Sequence, residues 1–198
     1  MDGLTTAQAA FVVGEPLEAF KKVVERAPIK PHMVQRGRRK VRRYGQADLV
    51  FLHAYAELRQ AFTPKSQSAL YDALQVALQK GHQKEVVFGK HRYDLAQHVL
   101  VIETKLKELD ALNTQIDTSG KDPVIRDTGI EVYRIAALLD AGETVASVLR
   151  DYPSFNEPQV IAAQAFAAVH PKVGRPYPKL TAKSAMRAAD LSALDDED

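Results

Sequence analysis

Within the first sixty residues, apolar positions recur at helical spacing in three separate stretches. Ala9, Ala10 and Val13 form a short one behind Thr5-Thr6-Ala7-Gln8, where Thr5 and Gln8 fit a capping box and Gly14 marks the turn. Leu17, Phe20 and Val24 form the second, which opens at Glu15-Pro16 and leaves Glu18, Lys21, Lys22 and Glu25 outside. Pro28 and Pro31 stop it, since proline lacks the amide a helix needs. Leu49, Leu52, Ala56 and Arg59 mark a third helix over about 46–62. Between the second and third, residues 33–44 read as two strand-like arms around Gly37. Helix, turn, helix, basic hairpin, helix is the order of a winged helix-turn-helix, expected here over residues 1–62.

The middle of the chain, residues 63–117, reads as a helical connector. Ser66–Lys80 is amphipathic through Leu70, Ala73, Leu74, Ala77 and Leu78, and Gly81 ends it. Val86-Val87-Phe88-Gly89 and Arg92-Tyr93-Asp94 predict a short hairpin across Gly89-Lys90-His91. Leu95–Ile116 then makes a longer helix with Val99, Ile102, Leu106, Leu109 and Leu112 on one stripe, suited to core packing or to a dimer seam. Thr118-Ser119-Gly120-Lys121 is the best linker candidate.

Residues 121–171 hold three more short helices. Val132, Ile135, Leu138 and Leu139 face inward on the first, and Gly142 supplies its left-handed stop. The second runs from about Thr144 with Val145, Val148 and Leu149 inward, and Tyr152-Pro153 ends it. The third has Asn156 as N-cap and Pro158 in its first turn, and is expected to bury Val160, Ile161, Ala165 and Ala168. Two short helices across a tight turn with a third beside them form a helix-turn-helix-like layout. From Lys172 the prolines impose an extended tail, with a weak amphipathic helix over 182–194 and an acidic end. The fold class expected is therefore mainly α.

Charge changes this picture more than composition does. At 45% hydrophobic and 26% charged residues the chain is ordinary for a globular protein. Its net charge of +2 hides an asymmetry. Residues 1–60 hold eleven Lys or Arg against six Asp or Glu, whereas residues 121–170 hold four against seven. Between Lys30 and Gly45 there are seven bases and no acids. Such a stretch is an electrostatic footprint for phosphate, because each neutralised phosphate releases counterions. A basic hairpin that binds nothing, or a nonspecific RNA contact, would leave the same trace. The preceding helix pair favours duplex DNA, with Arg36, Arg38, Arg39, Lys40, Arg42 and Arg43 on phosphates and Lys21 and Lys22 as candidate base readers.

Cysteine is absent, which removes disulfide scaffolds and thiolate metal sites and fits a reducing compartment. The start lacks the basic region of a signal peptide, and no uncharged run reaches the ~18 residues that span a bilayer, so a cytoplasmic protein without membrane contact is expected. His32, His53, His82, His91, His98 and His170 show no metal-ligand spacing, no glycine-rich phosphate loop occurs, and no serine has an evident base partner. The expectation is no catalytic residues, no metal and no cofactor.

Asp122-Pro123, Thr128, Ile130, Val132, Ala141-Gly142-Glu143, Asp151-Tyr152-Pro153 and Gln159 resemble a small domain of unknown function. Its usual pattern is an Asp-Pro, a Gly-Thr-Arg-Ile-x-Val-type loop, an Ala-Gly-Glu turn, and Asp-Tyr-Pro before a last helix. The Gly-Thr-Arg of that pattern reads Asp127-Thr128-Gly129 here. Many members look like antitoxins of VapB type, encoded beside a toxin with a PIN-domain ribonuclease fold. The N-terminal unit in turn resembles the DNA-binding module of MerR-type regulators, in which a Tyr precedes the helix after the wing as Tyr44 does. These resemblances imply the antitoxin of a type II toxin–antitoxin pair, a homodimer on operator DNA that covers its ribonuclease partner. Antitoxins of this kind drape an extended segment over the toxin's anionic pocket. The matching segment here would offer Arg175, Lys179, Lys183 and Arg187 as cations, with Leu180 and Met186 as apolar anchors. The rival reading is a stand-alone MerR-like transcription regulator without a toxin.

Overall fold

The computed structural model describes residues 3–81 and 85–172. The fold is mainly helical, and it divides into two compact units, residues 1–110 and 111–198. The first contains α1 (Thr6–Val13), α2 (Leu17–Arg26), β1 (His32–Arg36), β2 (Arg39–Arg43), α3 (Gln46–Ala61), α4 (Pro64–Gln79), β3 (Glu85–Phe88) and β4 (His91–Asp94). Helix α5 (Ala96–Thr114) leads from it into the second unit, with β5 (Ile116–Asp117), β6 (Val124–Ile125), α6 (Val132–Asp140), α7 (Val145–Asp151) and α8 (Glu157–Val169).

Helix boundaries follow the local signals. The Thr5 hydroxyl accepts the Gln8 amide at 3.3 Å while the Gln8 side chain accepts the Thr5 amide at 2.9 Å, closing the expected capping box. Asn156 and Gln159 close another at the start of α8. Gly14 and Gly142, at φ 80° and 97°, end their helices in the left-handed conformation that glycine adopts without steric cost.

Helix α3 is the axis of the first unit. Leu49, Val50, Phe51, Leu52, Ala54, Tyr55 and Leu58 are all buried, whereas Ala56 and Arg59, at the same three-to-four spacing as Leu49 and Leu52, are exposed. The expected single stripe fails because α1 and α4 both pack on α3, so most of its circumference is covered. Val99, Ile102 and Leu109 of α5 are also buried within the protomer, and Leu106 is half-buried. They belong to the chain's own core, which leaves little of that stripe for a dimer seam.

The two hairpins of this unit are built alike. Each turns on two residues, Gly37-Arg38 and Gly89-Lys90, with the glycine at φ 60°. Three residues before each glycine stands an inward valine, paired across the ladder as Val34↔Val41 and Val86↔Tyr93. Phe88 and Tyr93 then meet Phe62 edge-on at ring separations of 5.6 Å, seating the second hairpin at the end of α3.

In the second unit, Ile116, Ile125, Val132, Ile135, Leu138, Val148, Phe155, Val160, Ala163 and Phe166 form one core. Thr118-Ser119-Gly120-Lys121 is not a linker. It is the turn of the small hairpin in which Ile116 pairs with Ile125, and Ile116 ends α5's run by dropping into this core. Helix α8 is rotated from the expected face: Val160, Ala163 and Phe166 point inward, Ile161 is 51% exposed, and Ala168 is exposed. A run of eight apolar residues out of nine from Val160 leaves the face ambiguous in sequence, and the bulk of Phe166 decides it.

Candidate nucleic-acid interface

The basic stretch forms the antiparallel hairpin β1–β2, with His32↔Arg43, Met33↔Arg42, Val34↔Val41, Gln35↔Lys40 and Arg36↔Arg39 in register. Strand alternation puts Met33, Gln35, Lys40 and Arg42 on one face, and all four are exposed. The other face turns half-buried Val34 and Val41 toward the body, and its distal end carries exposed Arg36 and Arg39. The Gln35 side-chain amide donates to the Gly37 carbonyl at 2.7 Å and braces the tip beside Arg38. Arg36, Arg38, Arg39, Lys40 and Arg42 make no ion pair among the described residues. Arg43 differs: it is half-buried, and its guanidinium lies 3.4 Å from the Gly3 carbonyl.

Both feet of this hairpin are tied to one buried polar pair. Asp48, 6% exposed in the first turn of α3, accepts the Tyr71 hydroxyl at 2.6 Å and the Gly45 amide at 2.8 Å. The Tyr71 oxygen in turn accepts the Lys30 amide at 3.2 Å and the Gln75 side chain at 2.9 Å. Lys30 precedes β1 and Gly45 follows β2, so α4 and α3 grip the hairpin where it enters and leaves. Lys30 also reaches Asp72 at 2.9 Å. Burial pushes the Asp48 carboxyl above its ordinary range, and the bonds from Tyr71 and Gly45 pull it partly back. Burial and its bond to Asp48 likewise push the Tyr71 hydroxyl up, so it stays a donor. At the upper foot, Leu4 and Tyr44 exchange backbone bonds of 2.9 and 3.0 Å.

Helix α2 lies in the chain just before the hairpin and shows Glu18, Lys21, Lys22, Glu25 and Arg26 to solvent. Lys21 is held by Glu18 of its own helix at 2.6 Å, while Lys22 makes no ion pair among the described residues. The surface of α2 is thus mixed in sign, unlike the hairpin.

The second hairpin shares the build and lacks the charge. Its outward positions are Glu85, Val87, Arg92 and Asp94, with Arg92 3.4 Å from Glu85 and the Asp94 carboxylate capping α5 through the Ala96 amide at 2.8 Å.

Sequence reasoning missed the Asp48–Tyr71 pair and a second contact, His53 with His98, whose Nδ1 atoms lie 2.8 Å apart. Both join helices far apart in the chain, and neither has a spacing that announces it. Aspartate three residues into a helix is a local signal only for capping. Among the described residues no group of three or more His, Cys, Asp or Glu could hold a metal ion, and no helix is long and apolar enough to cross a membrane. Arg175, Lys179, Leu180, Lys183, Met186 and Arg187 lie outside the described residues.

In the second unit, the loop between β6 and α6 turns on Thr128, whose hydroxyl donates to the Ile125 carbonyl at 2.8 Å and accepts the Ile130 amide at 3.2 Å. It needs two left-handed positions, Asp127 at φ 65° and Gly129 at φ 66°. Aspartate is among the few side chains that tolerate this region, which is why it can stand where the domain pattern has glycine.

Mainly helical architecture with a basic hairpin on its N-terminal unit is the class that fold and site define. Residues 114–167 match the model of a family described as a protein of unknown function, DUF433. That span covers nearly all of the second unit's described elements, from β5 through most of α8. Neither the curated proteins nor the solved structures contain a match to the chain.

Proposed function

We propose that this chain is a DNA-binding antitoxin of VapB type, which holds operator DNA through a MerR-like winged helix-turn-helix and neutralises a PIN-domain ribonuclease. The observation that carries the DNA half is the hairpin: five exposed bases, Arg36, Arg38, Arg39, Lys40 and Arg42, without a carboxylate partner among the described residues. A flexible basic loop would lose much of its phosphate attraction to ordering entropy; one tied at both feet has less to lose. Phosphates would take the hairpin, and Lys22, with Lys21 once it leaves Glu18, would reach base edges from α2. The toxin half is supported by the motif resemblance over Asp122–Gln159, which falls inside the family match.

The test is a salt titration. Arg38→Ala with Arg39→Ala and Lys40→Ala should weaken binding to every duplex, and the slope of log affinity against log salt should become shallower by up to about 2.7, or about 0.9 per contact. An unchanged slope in fluorescence anisotropy removes the hairpin from the interface. Co-expression with the product of the neighbouring gene tests the other half: the two should co-purify, and a chain cut after Gly174 should bind DNA yet no longer protect cells from that product.

A further inference from the structure

A second binding feature sits on the first unit, independent of the hairpin. A cleft of about 270 Å3 opens between α2 and α3, closed at one end by the turn after α1. Val13, Phe20, Val23 and Leu52 line its floor, and Glu15, Arg26, His53 and Arg59 stand around it. Arg26 and Arg59 are exposed, and neither makes an ion pair among the described residues. Among the residues that line the cleft, two guanidiniums stand against one carboxylate.

His53 adds a switchable donor. Its Nδ1 is 2.8 Å from Nδ1 of His98, whose Nε2 lies 3.5 Å from the Glu57 carboxylate. With the neutral His98 hydrogen on Nε2, the nitrogen that faces the Glu57 carboxylate 3.5 Å away, its Nδ1 accepts from His53 and leaves His53 Nε2 as a bare acceptor. One added proton reverses this. Both nitrogens of His98 then donate, His53 Nδ1 accepts, and His53 Nε2 carries the hydrogen. Uptake of one proton by the pair therefore turns the remaining nitrogen of His53 from acceptor to donor. The titratable and charged groups around the pair are Glu15 after α1, Arg26 on α2, Glu57 and Arg59 on α3, and Tyr93 on β4. Burial and the neighbouring imidazole hold the His53 ring below its ordinary range, while Glu57 and Glu15 oppose them.

We infer that this cleft binds a small monocarboxylate with an apolar body, seated on Arg26 and Arg59 and gripped more tightly when the His53–His98 pair takes up a proton. Floor and rim require both parts of such a ligand: the apolar body for Phe20 and Leu52, the anion for the arginines.

Benzoate is the probe, titrated into the full chain while the histidine ring protons are followed by NMR. His53 should shift saturably with millimolar affinity, tighter near about pH 6 than near about pH 8. Benzyl alcohol, with the same ring and no charge, should bind about tenfold more weakly. Arg26→Gln with Arg59→Gln should lose a similar factor while leaving the circular dichroism unchanged, since both side chains are exposed. His53→Gln should keep the binding and lose its pH dependence. Absence of saturation, or equal affinity for the alcohol or for the double variant, overturns the site. Unaltered pH dependence in His53→Gln overturns the role of the pair.

Discussion

Replacing Tyr71 by Phe removes one oxygen and three hydrogen bonds, and the structure fixes what each loss should cost. The hydroxyl donates to Asp48 at 2.6 Å and accepts from the Lys30 amide and the Gln75 side chain. Gln75 is half-buried and can turn to water, so its loss is minor. Asp48 has no such recourse: it is 6% exposed and would keep only the Gly45 amide. A bond to a charged group contributes roughly 1.5–3 kcal/mol and a neutral one about 1 kcal/mol, so the expected destabilisation is about 2–4 kcal/mol. For a unit of this size that is a fall in Tm of roughly 8–16 °C. Calorimetry of the full chain reads the loss, and amide hydrogen exchange reads its place, because Lys30 should lose protection along with Gly45. Asp48→Asn combined with Tyr71→Phe should cost less than the two changes summed, since each breaks the same contact. A Tyr71→Phe protein within about 0.5 kcal/mol of the parent would refute the reasoning, and the hairpin's feet would then be held by packing alone.

Three further outcomes follow from the same geometry. Because burial raises the folded-state pKa of Asp48, the folded protein binds more protons there than the unfolded chain does. Stability from this group is therefore present below the ordinary aspartate range and lost as pH rises through the raised value. Urea unfolding across that window should show the decline, and Asp48→Asn should flatten it. Asp127→Val, which forces a β-branched residue to φ 65°, should lower the unfolding free energy read from a urea titration by about 1–2 kcal/mol, whereas Asp127→Gly should change it little, since relief of strain and added unfolded-state entropy nearly offset. Ile161→Asp should leave stability within about 0.5 kcal/mol, while Val160→Asp should unfold the second unit; equal effects would mean that the face of α8 is wrong.

Element existence was legible because each signal was local. Thr5 with Gln8, Asn156 with Gln159, and the glycines that end α1 and α6 act within one helical turn, and the structure places them as their chemistry requires. What could not be read was which face a helix buries when several of its faces are apolar. Helix α3 exposes Ala56 and Arg59 because partners on more than one side claim the rest, and α8 turns Ile161 out because Phe166 must go in. The same limit hid the Asp48–Tyr71 and His53–His98 pairs, separated by 23 and 45 residues. Contacts across such separations depend on how helices pack, and no periodicity within one helix encodes them.

The two hairpins show why charge, rather than architecture, has to carry the functional argument. Both place an inward valine three residues before a glycine at φ 60°, and both lead directly into a helix. Backbone geometry alone would assign them one role. Yet the first has six bases and no acid over residues 32–43, while the second sets Glu85 and Asp94 against Lys90 and Arg92 over residues 85–94. Its carboxylates are also committed locally, Glu85 to Arg92 and Asp94 to the start of α5. A phosphate approaching the second hairpin meets a balanced surface and gains no counterion release, whereas one approaching the first meets bases that nothing in the described fold neutralises. The scaffold that both share explains how a strand pair can be presented rigidly. Only the side chains on its outer face decide whether DNA is what it is presented to.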